Sequence, residues 1–137
     1  GRKRRQMESP EERPDLGTAT LIYNHMHPVM QDLDVEEFWA LMLNQNHRLI
    51  RKVRISHGGI TATAVDIRII MREALLCNAT QLAVCHNHPS GKLTPSKQDQ
   101  DLTRSIMQAC HTMGIRFMDH VIVTDGHYYS YHEEGKC

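Results

Sequence analysis

The amino-acid sequence predicts an α/β fold built as a single domain. Short apolar or alternating segments, typical of β-strands, are interleaved with segments whose apolar residues recur at helical spacing. The chain has 137 residues, 40% of them hydrophobic, which is enough for one core. Because aromatic residues make up only 5%, that core is expected to be mainly aliphatic side chains and methionine.

The N-terminal segment 1–17 is expected to be a tail or linker. It is charged, contains two prolines and has almost no apolar residues. The basic run at residues 2–5 has two interpretations, a solvated end or an arm that contacts phosphates. The folded domain is expected to span residues 18–137.

A helix and a β-hairpin are predicted for the first part of the domain. The helix begins at Thr18 and should end before Pro28, since proline disfavours helical geometry in the preceding residue. The apolar run 38–43 is typical of a buried strand, and residues 49–57 alternate like a partner strand. The polar residues 44–47 form the turn between them.

The middle of the chain is predicted to hold a second helix and a short buried strand. Residues 63–66 resemble a capping box, and apolar side chains at helical spacing extend this helix to near Asn78. The buried strand 82–85 leads directly into His86. Catalytic groups often lie at such strand ends in α/β folds.

A third helix and a closing hairpin are predicted for the remainder. Ser96 or Thr94 can cap the helix at its start, and Gly114 is a natural C-cap. The strand 121–123 is followed by an Asp-Gly pair, a strong hairpin signal, and residues 128–131 return as its partner.

Charge and cysteine content argue against several classes of protein. Lys plus Arg equals Asp plus Glu at 16 each, so overall charge does not indicate nucleic-acid binding. The four cysteines form no CxxC pair and no disulfide framework. We expect no signal peptide, and the sequence has no apolar run long enough to span a bilayer. We therefore expect a reducing, cytoplasmic setting and no membrane association.

The most informative motif is His86-Asn87-His88, followed by Ser96 and Asp99. Two histidines two residues apart in an extended segment point to the same side. With a carboxylate from the helix start they are a sufficient set for a catalytic zinc whose fourth position stays open. Zinc lowers the pKa of bound water to about 7. The motif therefore predicts a zinc hydrolase core with one Zn²⁺ per chain.

Two further groups are needed for hydrolysis. Ser96 lies one helical turn before Asp99 and shares its helix face, so its hydroxyl can stabilise an oxyanion, or it can cap the helix. A general base must move a proton from water to the leaving group. The acidic candidates all precede the first buried strand, and they are Asp32, Asp34, Glu36 and Glu37.

The complete pattern resembles the JAMM (MPN-type) zinc metalloproteases, and the chain is more closely similar to bacterial RadC-family proteins. The matching stretches are residues 36–39, 43–50, 86–91, 95–99 and 119–123. The resemblance implies a curved mixed β-sheet flanked by helices, of the cytidine-deaminase-like (JAB/MPN-type) class, over residues 18–137. The family usually carries an N-terminal helix-hairpin-helix region, associated with DNA binding, so this chain is expected to be a short member or the catalytic domain alone.

The resemblance also assigns roles to residues. It makes His86, His88 and Asp99 the zinc ligands and Ser96 the oxyanion-stabilising hydroxyl. It makes Glu36 the general base.

Three further residues match the family's pattern less decisively. Glu37 is an alternative base, because a shift of one residue exchanges which carboxylate faces the metal. Asp119 and His120 match a further RadC-like stretch. They are interpreted either as catalytic or as structural, the aspartate accepting bonds from local amides and the histidine supporting a ligand.

The function implied is a zinc-dependent hydrolase that cleaves a peptide or isopeptide bond, in a family associated by name with DNA repair. One alternative is a non-catalytic, metal-stabilised module that binds DNA, a repair protein or a mobile-element protein. That module would need a fourth protein ligand, for which Cys85 or His120 would have to turn inward. A phosphodiesterase is disfavoured because many such enzymes use a second metal.

Overall fold

The computed structural model describes residues 12–58 and 64–137. Within these ranges the strands form one mixed sheet in the order β2-β1-β3-β4-β5, and three helices flank it. The elements in chain order are α1 (Ala19–Met30), β1 (Glu37–Leu43), β2 (Leu49–His57), α2 (Ile67–Leu76), β3 (Gln81–Asn87), α3 (Lys97–Met113), β4 (Arg116–Val123) and β5 (Tyr128–Ser130). The predicted α/β class with a mixed sheet between helices is confirmed.

Strand β3 occupies the centre of the sheet. It pairs antiparallel with β1 and parallel with β4, and all seven of its residues are buried. A parallel neighbour requires a crossover connection, which α3 supplies. Since β1 runs against β3, the start of β1 lies beside the C-terminal end of β3. This arrangement brings residues near position 36 next to the histidine motif.

Each face of the sheet has its own hydrophobic core, because successive side chains of a strand point to opposite faces. Phe38, Ala40 and Met42 of β1 pack on one face with α2 and α3. Leu41 and Leu43 pack on the other face with α1. Both cores are mainly aliphatic and include methionines, as the composition predicts.

Helix α1 continues through Pro28 to Met30, so the prediction that it ends before the proline was wrong. Pro28 lies in the last turn, where its missing N–H costs the helix a single hydrogen bond. The helix regains stability there because Met26 and Met30 are buried against the sheet. Its end is closed by the Gln31 N–H, which donates to the His27 carbonyl at 2.8 Å.

Two other boundaries differ from the sequence prediction. The predicted capping box would make Thr63 the N-cap of α2. The N-cap is instead Asp66, whose side chain accepts from the Arg68 N–H. Thr63 itself lies outside the described residues. Strand β4 begins at Arg116, five residues before the predicted Val121, because its first residues continue the parallel ladder with β3.

The segment before α1 contacts the β1–β2 hairpin. Leu16 is buried, and its N–H donates to the His47 carbonyl at 2.9 Å, while the Leu49 N–H donates to the Pro14 carbonyl. The basic run 2–5 lies outside the described residues, and the boundary between tail and domain stays a prediction. None of α1, α2 and α3 is both long and apolar enough to cross a bilayer.

Candidate metal centre

The two histidines lie at the C-terminal end of β3. His86 is still within the strand and is fully buried, whereas His88 follows it, with a side chain that is 10% exposed. Their Nε2 atoms are 3.0 Å apart, so both rings present the same nitrogen to one point. The His88 Nδ1–H donates to the Lys92 carbonyl at 2.7 Å, which holds that ring in place.

Asn87, between the histidines, sets the position of Glu36. Its side-chain oxygen accepts from the Glu37 N–H at 2.7 Å, and its amide donates to the Val35 carbonyl at 3.0 Å. These two bonds attach the chain on both sides of Glu36 to the end of β3. As a result, Glu36 Oε2 lies 3.9 Å from His88 Nε2.

Asp99 enters from the first turn of α3, where a reciprocal capping box forms with Ser96. Ser96 Oγ accepts from the Asp99 N–H at 3.0 Å, and Asp99 Oδ2 accepts from the Ser96 N–H at 2.8 Å. The alternative that Ser96 caps the helix is therefore confirmed. The other carboxylate oxygen, Asp99 Oδ1, is buried without a hydrogen-bond partner among the described residues.

The Asp99 carboxylate faces both histidines. Its Oδ1 lies 3.5 Å from His86 Nε2, and its Oδ2 lies 3.3 Å from His88 Nε2. The Asp99 side chain is 1% exposed and the Glu36 side chain 33%, so one buried and one more accessible carboxylate lie near His88 Nε2. The structure thus brings together four of the five predicted site side chains.

The electrostatics of this cluster depend on the competition between burial and ion pairing. Burial lowers the pKa of His86, and it lowers the pKa of His120, which lies behind His86, to well below its ordinary value. Burial raises the pKa of Asp99, but the neighbouring His86 and His88 imidazoles lower it by more, so the net pKa is well below its ordinary value. Burial also lowers the pKa of His88, and contact with Asp99 and the Lys92 carbonyl raises it above 6.5.

These residues fit a metal ion. Suitable ligand atoms of Glu36, His86 and His88 all lie within 4.8 Å of one another. Zinc holds tetrahedral ligands at about 2.0–2.1 Å, which separates them by roughly 3.3 Å from each other. The 3.0 Å between the two histidine nitrogens lies close to that value. So do the 3.5 Å from His86 Nε2 to Asp99 Oδ1 and the 3.3 Å from His88 Nε2 to Asp99 Oδ2, which involve two different oxygens of one carboxylate. The orphaned Asp99 Oδ1 is an additional acceptor that a cation would satisfy.

Glu37 belongs to a different cluster. Its carboxylate accepts from Trp39 Nε1 at 3.0 Å and lies 2.6 Å from His57 Nδ1 and 3.2 Å from an Arg54 nitrogen. Phe38 packs against His86, so alternation directs Glu37 to the opposite face of the sheet. The geometry therefore favours Glu36 over Glu37 as the predicted general base.

Two more residues of the RadC-like stretch can now be placed. Asp119 accepts from Ser130 Oγ at 2.6 Å and from the His132 N–H at 3.0 Å, which confirms the structural interpretation of this residue. Burial raises the pKa of its carboxyl group. His120 lies behind His86, with 2.7 Å between His120 Nε2 and His86 Nδ1.

Comparison with known proteins shows the family of this chain. Residues 16–136 match the sequence profile of the RadC-like JAB domain. The chain belongs to this family. It is 43% identical over 110 residues to a UPF0758 protein of Flavobacterium johnsoniae, covering 80% of this chain and 48% of the relative.

Two other relatives show comparable sequence identity. A UPF0758 protein of Porphyromonas gingivalis is 38% identical over 124 residues, covering 90% of this chain and 55% of that protein. A UPF0758 protein of Haemophilus ducreyi is 45% identical over 119 residues, covering 87% of this chain and 53% of that protein. The chain thus spans about half the length of the curated relatives it matches.

Sequence reasoning missed Thr103, which is buried behind this RadC-like site. Its hydroxyl contacts both the Asp99 carbonyl and His120 Nδ1. The available signal was its position four residues after Asp99, on the same face of α3, among apolar neighbours. Its partner His120 could not be identified from spacing, because the two residues belong to different elements.

Replacing Ser96 tests its capping role. We expect Ser96→Ala to lower the free energy of unfolding by about 1 kcal/mol, because the Asp99 N–H loses its acceptor at the start of α3. Ser96→Asn is the matched control, since asparagine caps helices about as well as serine. Equal stability of Ser96→Ala and the wild type in urea unfolding would contradict the assignment.

Proposed function

We propose that this RadC-like domain is a zinc-dependent hydrolase that cleaves a peptide or isopeptide amide bond. The observation that carries the proposal is the convergence of two imidazole nitrogens and a buried carboxylate on one point, with a second, accessible carboxylate at its rim. Two histidines and one carboxylate form a recurrent ligand set for catalytic zinc.

The roles follow from where each group lies. His86, His88 and Asp99 would hold the zinc, which when bound acts as a Lewis acid and makes water acidic enough to lose a proton near neutral pH. Glu36 lies within 4 Å of His88 Nε2 and is one-third exposed, so it can accept that proton and deliver it to the leaving amine.

Ser96 would assist through its hydroxyl hydrogen. The capping bond uses a lone pair of Ser96 Oγ as the acceptor, which leaves the hydroxyl hydrogen for a substrate carbonyl oxygen. Ser96 is exposed, so a substrate can reach it. Capping and oxyanion stabilisation are therefore compatible functions of the same side chain.

A cleft borders His88, the one residue of the proposed site that lines it. It has a volume of about 230 Å³ and lies between the end of α1 and the β4–β5 turn, with His88 in its wall. Met30 and Val123 line its apolar part, and Asp32 and Asp125 line its acidic part.

The alternative of a closed, purely structural metal site is disfavoured. Cys85 packs on the opposite face of the sheet, with its thiol 3.8 Å from Met30 Sδ. His120 has both ring nitrogens engaged, by His86 and by Thr103. Neither residue is available as a fourth ligand, which leaves the one-third exposed Glu36 as the other group near the two histidines. Association with DNA or a DNA-repair protein, and a cytoplasmic setting, stay predictions.

The proposal is tested first by zinc content. Wild-type protein should contain about one zinc ion per chain by elemental analysis, and His88→Ala should lose it. The matched control is His111→Ala, which removes an exposed histidine at the end of α3 and should leave zinc content unchanged. Zinc that is absent from the wild type, or retained by His88→Ala, would refute the proposed centre.

A further inference from the structure

A chain of buried hydrogen bonds connects two of the candidate metal ligands from behind. It runs from His86 Nδ1 to His120 Nε2 at 2.7 Å, and from His120 Nδ1 to Thr103 Oγ1 at 2.6 Å. It ends where Thr103 Oγ1 donates to the Asp99 carbonyl at 2.7 Å. The four residues are at most 2% exposed, so water does not compete for these bonds.

The direction of every bond follows from its last acceptor. A carbonyl oxygen only accepts, so the single hydroxyl hydrogen of Thr103 is used on Asp99. Thr103 Oγ1 must then accept from His120, which places the His120 hydrogen on Nδ1. In a neutral ring this leaves His120 Nε2 as an acceptor, and the His86 Nδ1–H donates to it.

The consequence concerns which nitrogen of His86 can bind a metal. With its hydrogen on Nδ1, neutral His86 presents a lone pair at Nε2, the atom that faces His88 and Asp99. His88 reaches the same state by a simpler route, since its Nδ1–H donates to the Lys92 carbonyl. Both rings therefore offer Nε2, although only His86 depends on other side chains for this.

Two aromatic contacts hold the His120 ring in the orientation that this series of hydrogen bonds requires. The Tyr131 ring stacks on it, with centroids 4.8 Å apart and planes 9° apart. The Phe38 ring meets it edge-on at 5.6 Å. The ring is thus enclosed on the sides that its hydrogen bonds leave open.

We propose that His120 and Thr103 are positioning residues that hold His86 in the one tautomer able to bind the metal through Nε2. This inference rests on the proposed zinc centre and deepens it, since neither residue touches the metal or a substrate. Because the chain ends on the Asp99 backbone, it also fixes the distance between two ligands that come from different elements.

The decisive comparison is Thr103→Val against Thr103→Ser. Valine keeps the shape of threonine but cannot accept from His120 or donate to Asp99, whereas serine keeps the hydroxyl. Zinc affinity is measured by competition with a chromophoric chelator, on folded protein well below its melting temperature. We expect Thr103→Val to bind zinc about 10–100-fold more weakly and Thr103→Ser to bind it nearly as tightly as the wild type.

A second pair covers the case in which Thr103→Val fails to fold. The amide oxygen of His120→Gln can replace Nε2 as the acceptor for His86, whereas the shorter His120→Asn reaches only the position of Nδ1. We expect the glutamine variant to keep more zinc affinity than the asparagine variant. Equal zinc affinities of the two Thr103 variants, or of the two His120 variants, would overturn the proposal.

A readout without metal separates this inference from the proposed function. Nitrogen-15 NMR of the zinc-free protein reports the tautomer of each imidazole directly. We expect His86 and His120 to carry their hydrogen on Nδ1 in the wild type, and Thr103→Val to lose this preference at His120. A wild type that binds no zinc but shows these tautomers refutes the function and supports the positioning chain. Hydrogen on Nε2 instead of Nδ1 in either ring refutes the hydrogen-bond chain itself.

Discussion

Glu36→Gln is expected to lower kcat for amide hydrolysis by about 10²–10⁴-fold while the protein keeps its zinc. Glutamine has nearly the same size but cannot take up a proton from water. Because His86, His88 and Asp99 remain, metal binding should persist. The measurements are zinc content and turnover on a peptide or isopeptide that the wild type cleaves in a fluorogenic screen.

Glu37→Gln is the matched control for this prediction. Its carboxylate is occupied by Trp39, His57 and Arg54 on the other face of the sheet, so its loss should affect stability rather than turnover. If Glu37→Gln abolished turnover and Glu36→Gln did not, the two residues would exchange roles. If Glu36→Gln lost zinc, Glu36 would be a ligand rather than the base.

The second large effect is expected at Phe38. Phe38→Ala should lower the free energy of unfolding by about 3–5 kcal/mol, because the side chain is fully buried in the core between β1, α2 and α3. It should also weaken zinc binding by the folded protein. Its ring packs 6.0 Å from that of His86 and 5.6 Å from that of His120, and a cavity there frees both histidines.

Leu41→Ala separates the two effects. Leu41 is equally buried in β1 but lies in the core beneath α1, on the opposite face from the histidine rings. Its loss should cost about 2–5 kcal/mol in chemical unfolding with little change in zinc affinity. Equal zinc affinities for the two variants would show that the aromatic contact does not support the site.

The sequence predicts best those features that depend on neighbours along the chain. The hairpin of β1 and β2, the cap at Ser96 and the strand leading into His86 all follow from local period and turn chemistry. The boundary at Pro28 was missed because burial of Met30 outweighs a local preference. Similarly, β4 starts early because of its pairing with β3, which local propensity does not reveal.

Other features of the site depend on contacts between distant segments, which the spacing of residues in the sequence does not reveal. The distinction between Glu36 and Glu37 depends on two bonds from Asn87, about fifty residues away in the chain. The partnership of His120 with Thr103 depends on the register between β3 and β4 and on the docking of α3. The histidine motif could therefore be found from the sequence, whereas its support could not.

The central position of β3 has a consequence for the motions of the site. Each of its residues is buried and the strand is paired on both sides, so we expect its amides to exchange hydrogen more slowly than those of the connecting segments. His86 belongs to this slowest-opening part. Glu36 and Lys92 lie in connecting segments, which open at lower free energy. We therefore expect the His86 ring to be held by the most persistent part of the described domain, whereas Glu36 and the Lys92 carbonyl that contacts His88 lie in segments that open more readily.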